Sequence, residues 1–247
     1  MTKYDQTRVD SAATWEKLAL TYYQYGHYYK AEEGYKRLIV MDSTRAQYYQ
    51  IMGNLMLMDA RYDMAWGKLD AVVSIDSTYA TARLLQAKIL AIKADTGQAI
   101  KLAEKFYPVE KSTPGKIEFQ LFLGKMYGAK GSNFDSTAAN KYFTNALAWS
   151  SDMAAKAPED PTYKLRMGLA YLGLEDFENA EKYLELALFF ERRPFHQGEA
   201  LIGLGNLYDL SQNHKKAIEF YQRALTLPLA AYQRDLCIKY IDQPYRK

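Results

Sequence analysis

Apolar residues in this chain recur at helical spacing, within a longer period that is visible before any motif is sought. Ala31, Ala65 and Ala99 stand 34 residues apart, and Ala139, Ala180 and Ala217 continue the series with small insertions. Each is followed four places on by Tyr35, Leu69, Ala103, Phe143, Leu184 or Tyr221. Leu38, Val72, Phe106, Ala146, Ala187 and Ala224 come three places later still. Twelve positions before the alanines lie Ala19, Gly53, Ala87, Gly168 and Gly205. In the fourth unit Tyr127 takes that place, and a three-residue insertion in the turn recovers Gly124. Spacings of three, four and seven put these side chains on one helical face. The pattern predicts six antiparallel helix pairs, each with a small residue opposite an alanine, because two helix axes approach only as closely as the side chains between them allow.

Trp15-x2-Leu18-Ala19-x2-Tyr22 followed by Ala31-x3-Tyr35-x2-Leu38 resembles the tetratricopeptide repeat signature. So does Leu204-Gly205-x2-Tyr208 followed by Ala217-x3-Tyr221-x2-Ala224. The resemblance covers nearly the whole chain and implies an all-α fold: a right-handed α-solenoid of stacked antiparallel helix pairs with a C-terminal capping helix. In that framing the repeats run 12–45, 46–79, 80–113, 117–153, 161–194 and 198–231, with the cap at about 230–241 and one solenoid domain over 1–247. Repeat three departs from the pattern at Arg83 and Gln86, and repeat five at Lys164.

Punctuation between the periodic segments agrees. Asp42-Ser43-Thr44, Asp76-Ser77-Thr78 and Asp135-Ser136-Thr137 offer oxygens to cap a following helix. Pro108 and Pro114 bracket one junction, where a bend near 108–116 is expected, and Pro158 and Pro161 bracket the next. A single hairpin cannot bury its apolar face alone, so neighbours must stack into one continuous core.

Composition changes this picture little. Hydrophobic residues make up 49% and charged residues 25%, as in a folded globular chain. The formal charge is 32 minus 29, or +3, and basic neighbours come only in pairs, so no run tracks phosphates and nucleic acid is not an expected partner. No apolar stretch reaches the roughly 20 residues that span a bilayer, so direct membrane insertion is not expected. The first residues, Met1 to Arg8, lack the apolar core of a signal peptide. The expected location is cytoplasmic, with the alternative of a periplasmic or anchored protein whose signal has been removed. The single Cys237 excludes an internal disulfide and a cysteine metal cage, and reads as a buried apolar residue.

Candidate chemistry is sparse. His27 and His214 fall at turns within helix pairs and His196 at a junction, none with metal-ligand spacing, although Glu199 stands three places from His196. Gly203-x-Gly205 occupies the helical packing position with no preceding strand, which removes the phosphate-loop reading. No catalytic residue, metal or cofactor is assigned, and the chain is not expected to be an enzyme. Trp15, Trp66 and Trp149 read as packing residues.

The resemblance implies that the first helix of each repeat lines a concave groove. Leu20, Asn54, Lys88, Lys125, Leu169 and Asn206 would point into it, with Glu16, Gln50, Leu84, Leu121, Leu165 and Ile202 four places earlier. The candidate partner-binding set is Tyr23, Gln50, Asn54, Lys88, Lys125 and Asn206. Amides there suit an extended backbone, and lysines suit acidic side chains or a terminal carboxylate. Tyr23 belongs to a tyrosine cluster richer than packing requires, and suits either packing or recognition. The arrangement that clamps chaperone C-termini is not reproduced, since Glu16 and Leu20 stand where Lys and Asn are needed. The expected function is a scaffold or adaptor that holds a protein or peptide segment. A secretion or envelope-assembly chaperone or lipoprotein, a regulatory module of a larger enzyme, and self-association are the alternatives.

Overall fold

The computed structural model describes residues 11–246, and the first ten residues named above lie outside it. Among the described residues there are thirteen α-helices and no strand. Six antiparallel pairs follow one another: α1 (Ala12–Gln24) with α2 (Tyr28–Met41), α3 (Ala46–Met58) with α4 (Tyr62–Ile75), α5 (Ala80–Ile92) with α6 (Thr96–Phe106), α7 (Thr113–Gly128) with α8 (Ser136–Lys156), α9 (Pro161–Gly173) with α10 (Phe177–Phe190), and α11 (Pro194–Leu210) with α12 (His214–Leu225). A last helix, α13 (Ala231–Asp242), packs on α12. The fold is a right-handed α-solenoid with a capping helix.

The turns within pairs share one device. Gly26, Ala60, Ala94, Glu175 and Gln212 adopt positive φ of 56° to 80°. The next amide then reaches back to the carbonyl five residues earlier, as in His27 N to Tyr22 O at 2.8 Å and Asn213 N to Tyr208 O at 2.7 Å. This closes the C-terminal carbonyls that a helix leaves orphaned. Repeat four, with its inserted residues 129–135, closes its turn with Asp135 N to Tyr127 O at 3.0 Å instead.

The small residues do their work against a different neighbour from the one expected. The alanines at 31, 65, 99, 180 and 217 are fully buried. Yet the side chain that crowds each glycine belongs to the large residue four places after the alanine. A Cβ on Gly53 would lie 2.9 Å from Leu69 Cγ, and one on Gly168 would lie 2.7 Å from Leu184 Cγ. Gly124 meets Phe143 and Gly205 meets Tyr221 in the same way, while in repeat one Ala19 faces Gly34. The helices cross where the larger side chain lies flat over the glycine, so volume is shared between one large and one absent side chain.

Two expectations are corrected. Asp135 caps α8 by accepting from Ala138 N at 2.9 Å, but the backbone amides that Asp42 and Asp76 bond are Thr44 N and Thr78 N, at 3.0 and 2.9 Å. The helices after them start later, at Ala46 and Ala80, behind Arg45 and Tyr79, which supply no side-chain cap. His196 does not lie in a junction. Pro194, with φ preset for a helical first turn, starts α11 there, so His196 stands on its first turn.

The first helix pair meets the segment that follows the sixth. The hydroxyl of Tyr28, opening α2, donates to the carbonyl of Pro228 at 3.1 Å, across 200 residues of sequence. Gly26 lies against the same proline ring. Beyond it, α13 buries Cys237 with Leu204, Tyr221 and Ala224, and burial pushes that thiol up to about 11. Asp209 ties the tail down, accepting from Tyr221 Oη at 2.9 Å and Tyr245 N at 2.8 Å.

Two substitutions separate the turn and packing claims. Ala94→Gly relieves a left-handed residue whose side chain is exposed, and is expected to add about 0.5–1 kcal/mol to stability. Gly168→Ala forces a methyl into Leu184, and is expected to cost about 1–3 kcal/mol. Thermal melts should move in opposite directions for the two variants.

Candidate partner-binding groove

Successive first helices touch one another, α3 on α5, α5 on α7, α7 on α9 and α9 on α11. They therefore form the inner wall of the curve, and the residues they turn away from their partners face its interior.

The six candidate residues fall into three situations. Tyr23 and Asn54, from neighbouring repeats, are joined by a bond from Asn54 Nδ2 to Tyr23 Oη. Burial pushes the Tyr23 phenol up to about 12, against the opposing pull of that bond, and its ring stands 6.4 Å from Tyr28. Gln50 accepts from Tyr79 Oη at 3.2 Å, at the end of its own repeat. Asn206 is turned aside: its Oδ1 accepts from Tyr221 Oη at 2.9 Å within its own repeat. Glu16 is also engaged, with Arg45 at the end of its own repeat and Tyr48 of the next.

Lys88 belongs to a larger arrangement. Glu118 on α7 lies 3.5 Å from Lys88 Nζ and 2.6 Å from Arg166 Nε on α9. Arg166 Nη1 then lies 3.3 Å from Glu199 on α11, which bonds His196 Nδ1 at 2.9 Å. A continuous row, Lys88–Glu118–Arg166–Glu199–His196, thus crosses four consecutive first helices. The Arg166 side chain is only 10% exposed. Burial alone would lower its pKa, but Glu118 and Glu199 outweigh that and raise it. For Glu199, burial opposes ionisation, yet Arg166 and the His196 bond bring its pKa down to about 2.

Lys125 stands apart from this row. Solvent reaches it, yet it sits inside the curve with protein around it. Among the described residues no carboxylate lies within ion-pair distance of its ammonium. This enclosure lowers its pKa, the nearby Lys88 lowers it further, and Glu199 only partly compensates. In this cluster Lys88, Lys125 and Arg166 stand with Glu118 and Glu199, three cations to two carboxylates. Tyr232, on the first turn of α13, is close enough for Glu199, Tyr23 and Glu118 to add to the burial that raises its phenol pKa.

Glu118, Arg166 and Glu199 were not among the sequence candidates, though two of them left a signal. Glu118 and Glu199 precede Lys125 and Asn206 by seven residues, two turns back along the groove-facing stripe. Arg166 lies beside that stripe rather than on it, and only the curvature between repeats brings it between two carboxylates. The His196–Glu199 pair gains no third ligand. Among the described residues no group of three or more His, Cys, Asp or Glu side chains is placed to hold a metal ion.

Known proteins place this architecture. Residues 159–229 match the family model of the tetratricopeptide repeat. A thermophilic TPR protein of Thermus thermophilus is similar in structure, with 22% identity over 80% of this chain and 98% of its own, at a TM-score of 0.53. PilF of Pseudomonas aeruginosa is 14% identical over 95% of this chain and 97% of its own, at 0.50. The human IFIT1 dimer with PPP-AAAA is 13% identical over 98% of this chain and 57% of its own, at 0.59. At these identities the likeness is one of fold. No curated protein matches the sequence. With a tetratricopeptide-repeat match over 159–229, the fifth and sixth pairs, and paired helices throughout, the chain takes the fold of a TPR solenoid with six helix pairs among the described residues.

Proposed function

We propose that the inner wall holds a segment of another protein that presents an acidic group to Lys125. The tetratricopeptide-repeat fold supports a scaffold for protein–protein interaction, and the finer reading rests on one observation. Lys125 is a solvent-accessible cation on the inner wall, with a second cation, Lys88, near it and no carboxylate within ion-pair distance. A like neighbour makes its charge costlier. A bound carboxylate relieves that cost. Arg166 does not offer this, because Glu118 and Glu199 already neutralise it.

The remaining candidates would hold the rest of the segment. Gln50 and Asn54 carry amides near the same wall, and Tyr23 adds a ring with a polar tip. Asn206, whose oxygen is tied to Tyr221, would contribute through its amide hydrogens. We read the chain as a scaffold or adaptor acting as one stacked unit.

The charged row has a supporting part in this reading, because it fixes α5, α7, α9 and α11 relative to one another. Glu199 carries the test. Its folded pKa lies below the ordinary 4.5, so its stabilising contribution is complete above that value and is lost as pH falls toward about 2. Glu199→Gln is expected to lower stability at pH 7 by about 2 kcal/mol. It should also flatten the loss of stability between pH 4.5 and about 2 in urea midpoints taken across that range. For the groove itself, a peptide library panned against the wild type should yield acidic segments whose affinity weakens with added salt. Lys125→Glu should reduce that affinity about tenfold or more, a change of roughly 1.4 kcal/mol. Unaltered binding by Lys125→Glu, or by its combination with Lys88→Glu, would place the partner elsewhere.

A further inference from the structure

We propose that the contact between the first repeat and Pro228 is a latch, closing the groove into an enclosed lumen and parting to admit the segment that seats on Lys125. The inference concerns access to the groove and rests on the reading above.

Three observations carry it. First, the contact joins the two ends of the solenoid: Tyr28 Oη bonds the Pro228 carbonyl at 3.1 Å, and Gly26 leaves just enough room for the proline ring. A Cβ at residue 26 would lie 2.7 Å from Pro228 Cγ, so the fit depends on glycine, which also supplies the positive φ of 80° that the turn needs. Second, closure encloses the interior. Glu199, on repeat six, acts on Tyr23 and Tyr28 of repeat one, and Tyr232 on α13 is felt by groups from repeats one, four, five and six. The lysine that lacks a counter-charge lies on the inner wall that this contact closes into a ring, and solvent still reaches it. Third, the contact is slight. The hydrogen bond between the ends is a neutral one with a ring against a turn beside it, whereas neighbouring repeats are joined along whole helix faces. The ends can separate without unstacking any repeat. Small displacements between successive hairpins add along a solenoid, so a modest change in curvature over six repeats opens the gap.

The latch can be read directly by spin labels at two exposed positions flanking it, Lys30→Cys and Thr226→Cys, in a Cys237→Ala background. The expected result is one short inter-label distance in that protein. It should give way to a longer, broader distribution when Tyr28→Phe and Pro228→Ala are added, with helical circular dichroism unchanged. A long or broad distribution without the latch substitutions, or no response to them, overturns the proposal. Access is tested by locking the ends. Cysteines replacing Gly26 and Pro228 would place their Cβ atoms about 3.3 Å apart, close to disulfide geometry. The oxidised protein should take up a fluorescein-labelled hexaglutamate peptide about tenfold more slowly than the reduced one, with thiol reductant restoring the rate. Equal rates in locked and reduced protein would mean that the contact does not gate the groove. If the peptide does not bind even the unmodified protein, the Lys125 reading fails, and the label distances alone then decide whether the latch exists.

Discussion

Close approach of two helices at a missing side chain is the interaction on which everything else in this molecule depends. Gly53, Gly168 and Gly205 let Leu69, Leu184 and Tyr221 lie across the partner helix, and in repeat one Ala19 and Gly34 serve the same end. A hairpin built this way is thin and has apolar residues left over on both faces. It must be covered by its neighbours, so each repeat exposes its core to the next and the core becomes a string of clusters along the chain. Because first helices touch first helices while second helices spread apart, the stack curves, and curvature creates an interior.

That interior is where charge becomes informative. A lysine on a convex surface is well hydrated and says little. Lys125 inside the curve has protein around it and Lys88 nearby, and both effects weaken its hold on a proton, with Glu199 only partly compensating. Arg166, two helices along, is the contrasting case: two carboxylates flank it and its charge is reinforced. The same wall thus contains a saturated cation and an unsaturated one, and only the second has a reason to bind something. The proposed recognition of a partner's acidic group rests on that difference rather than on the net charge of the chain.

Closure of the ends adds a constraint that a linear stack lacks. A single hydrogen bond from Tyr28 to Pro228 joins residues that belong to different repeats at opposite ends of the solenoid. Its enthalpy is small, but its geometric consequence is large, because it decides whether the inner wall is an open trough or a lumen. Such a contact can be traded against modest changes in curvature distributed over the interfaces between repeats, each of which stays packed.

The sequence by itself determined the number of hairpins, their order and the face each helix buries. Those depend on local spacing: a small residue, an apolar residue three or four places on, and a turn near the middle of each 34-residue unit. That Lys88 and Lys125 face a groove is implied by the family resemblance, since periodicity alone says only which residues share a helix face. Local spacing misjudged what each glycine faces, where α11 begins and which aspartates cap, because those turn on shifts of a few residues that several sequences satisfy equally. The tertiary structure alone decided that Glu118, Arg166 and Glu199 form a row, that Asn206 is tied to Tyr221, and that Tyr28 reaches Pro228. Each of these joins residues on different helices, most of them in different repeats. Their separation is set by the accumulated twist from one hairpin to the next, a quantity that no local pattern of residues encodes.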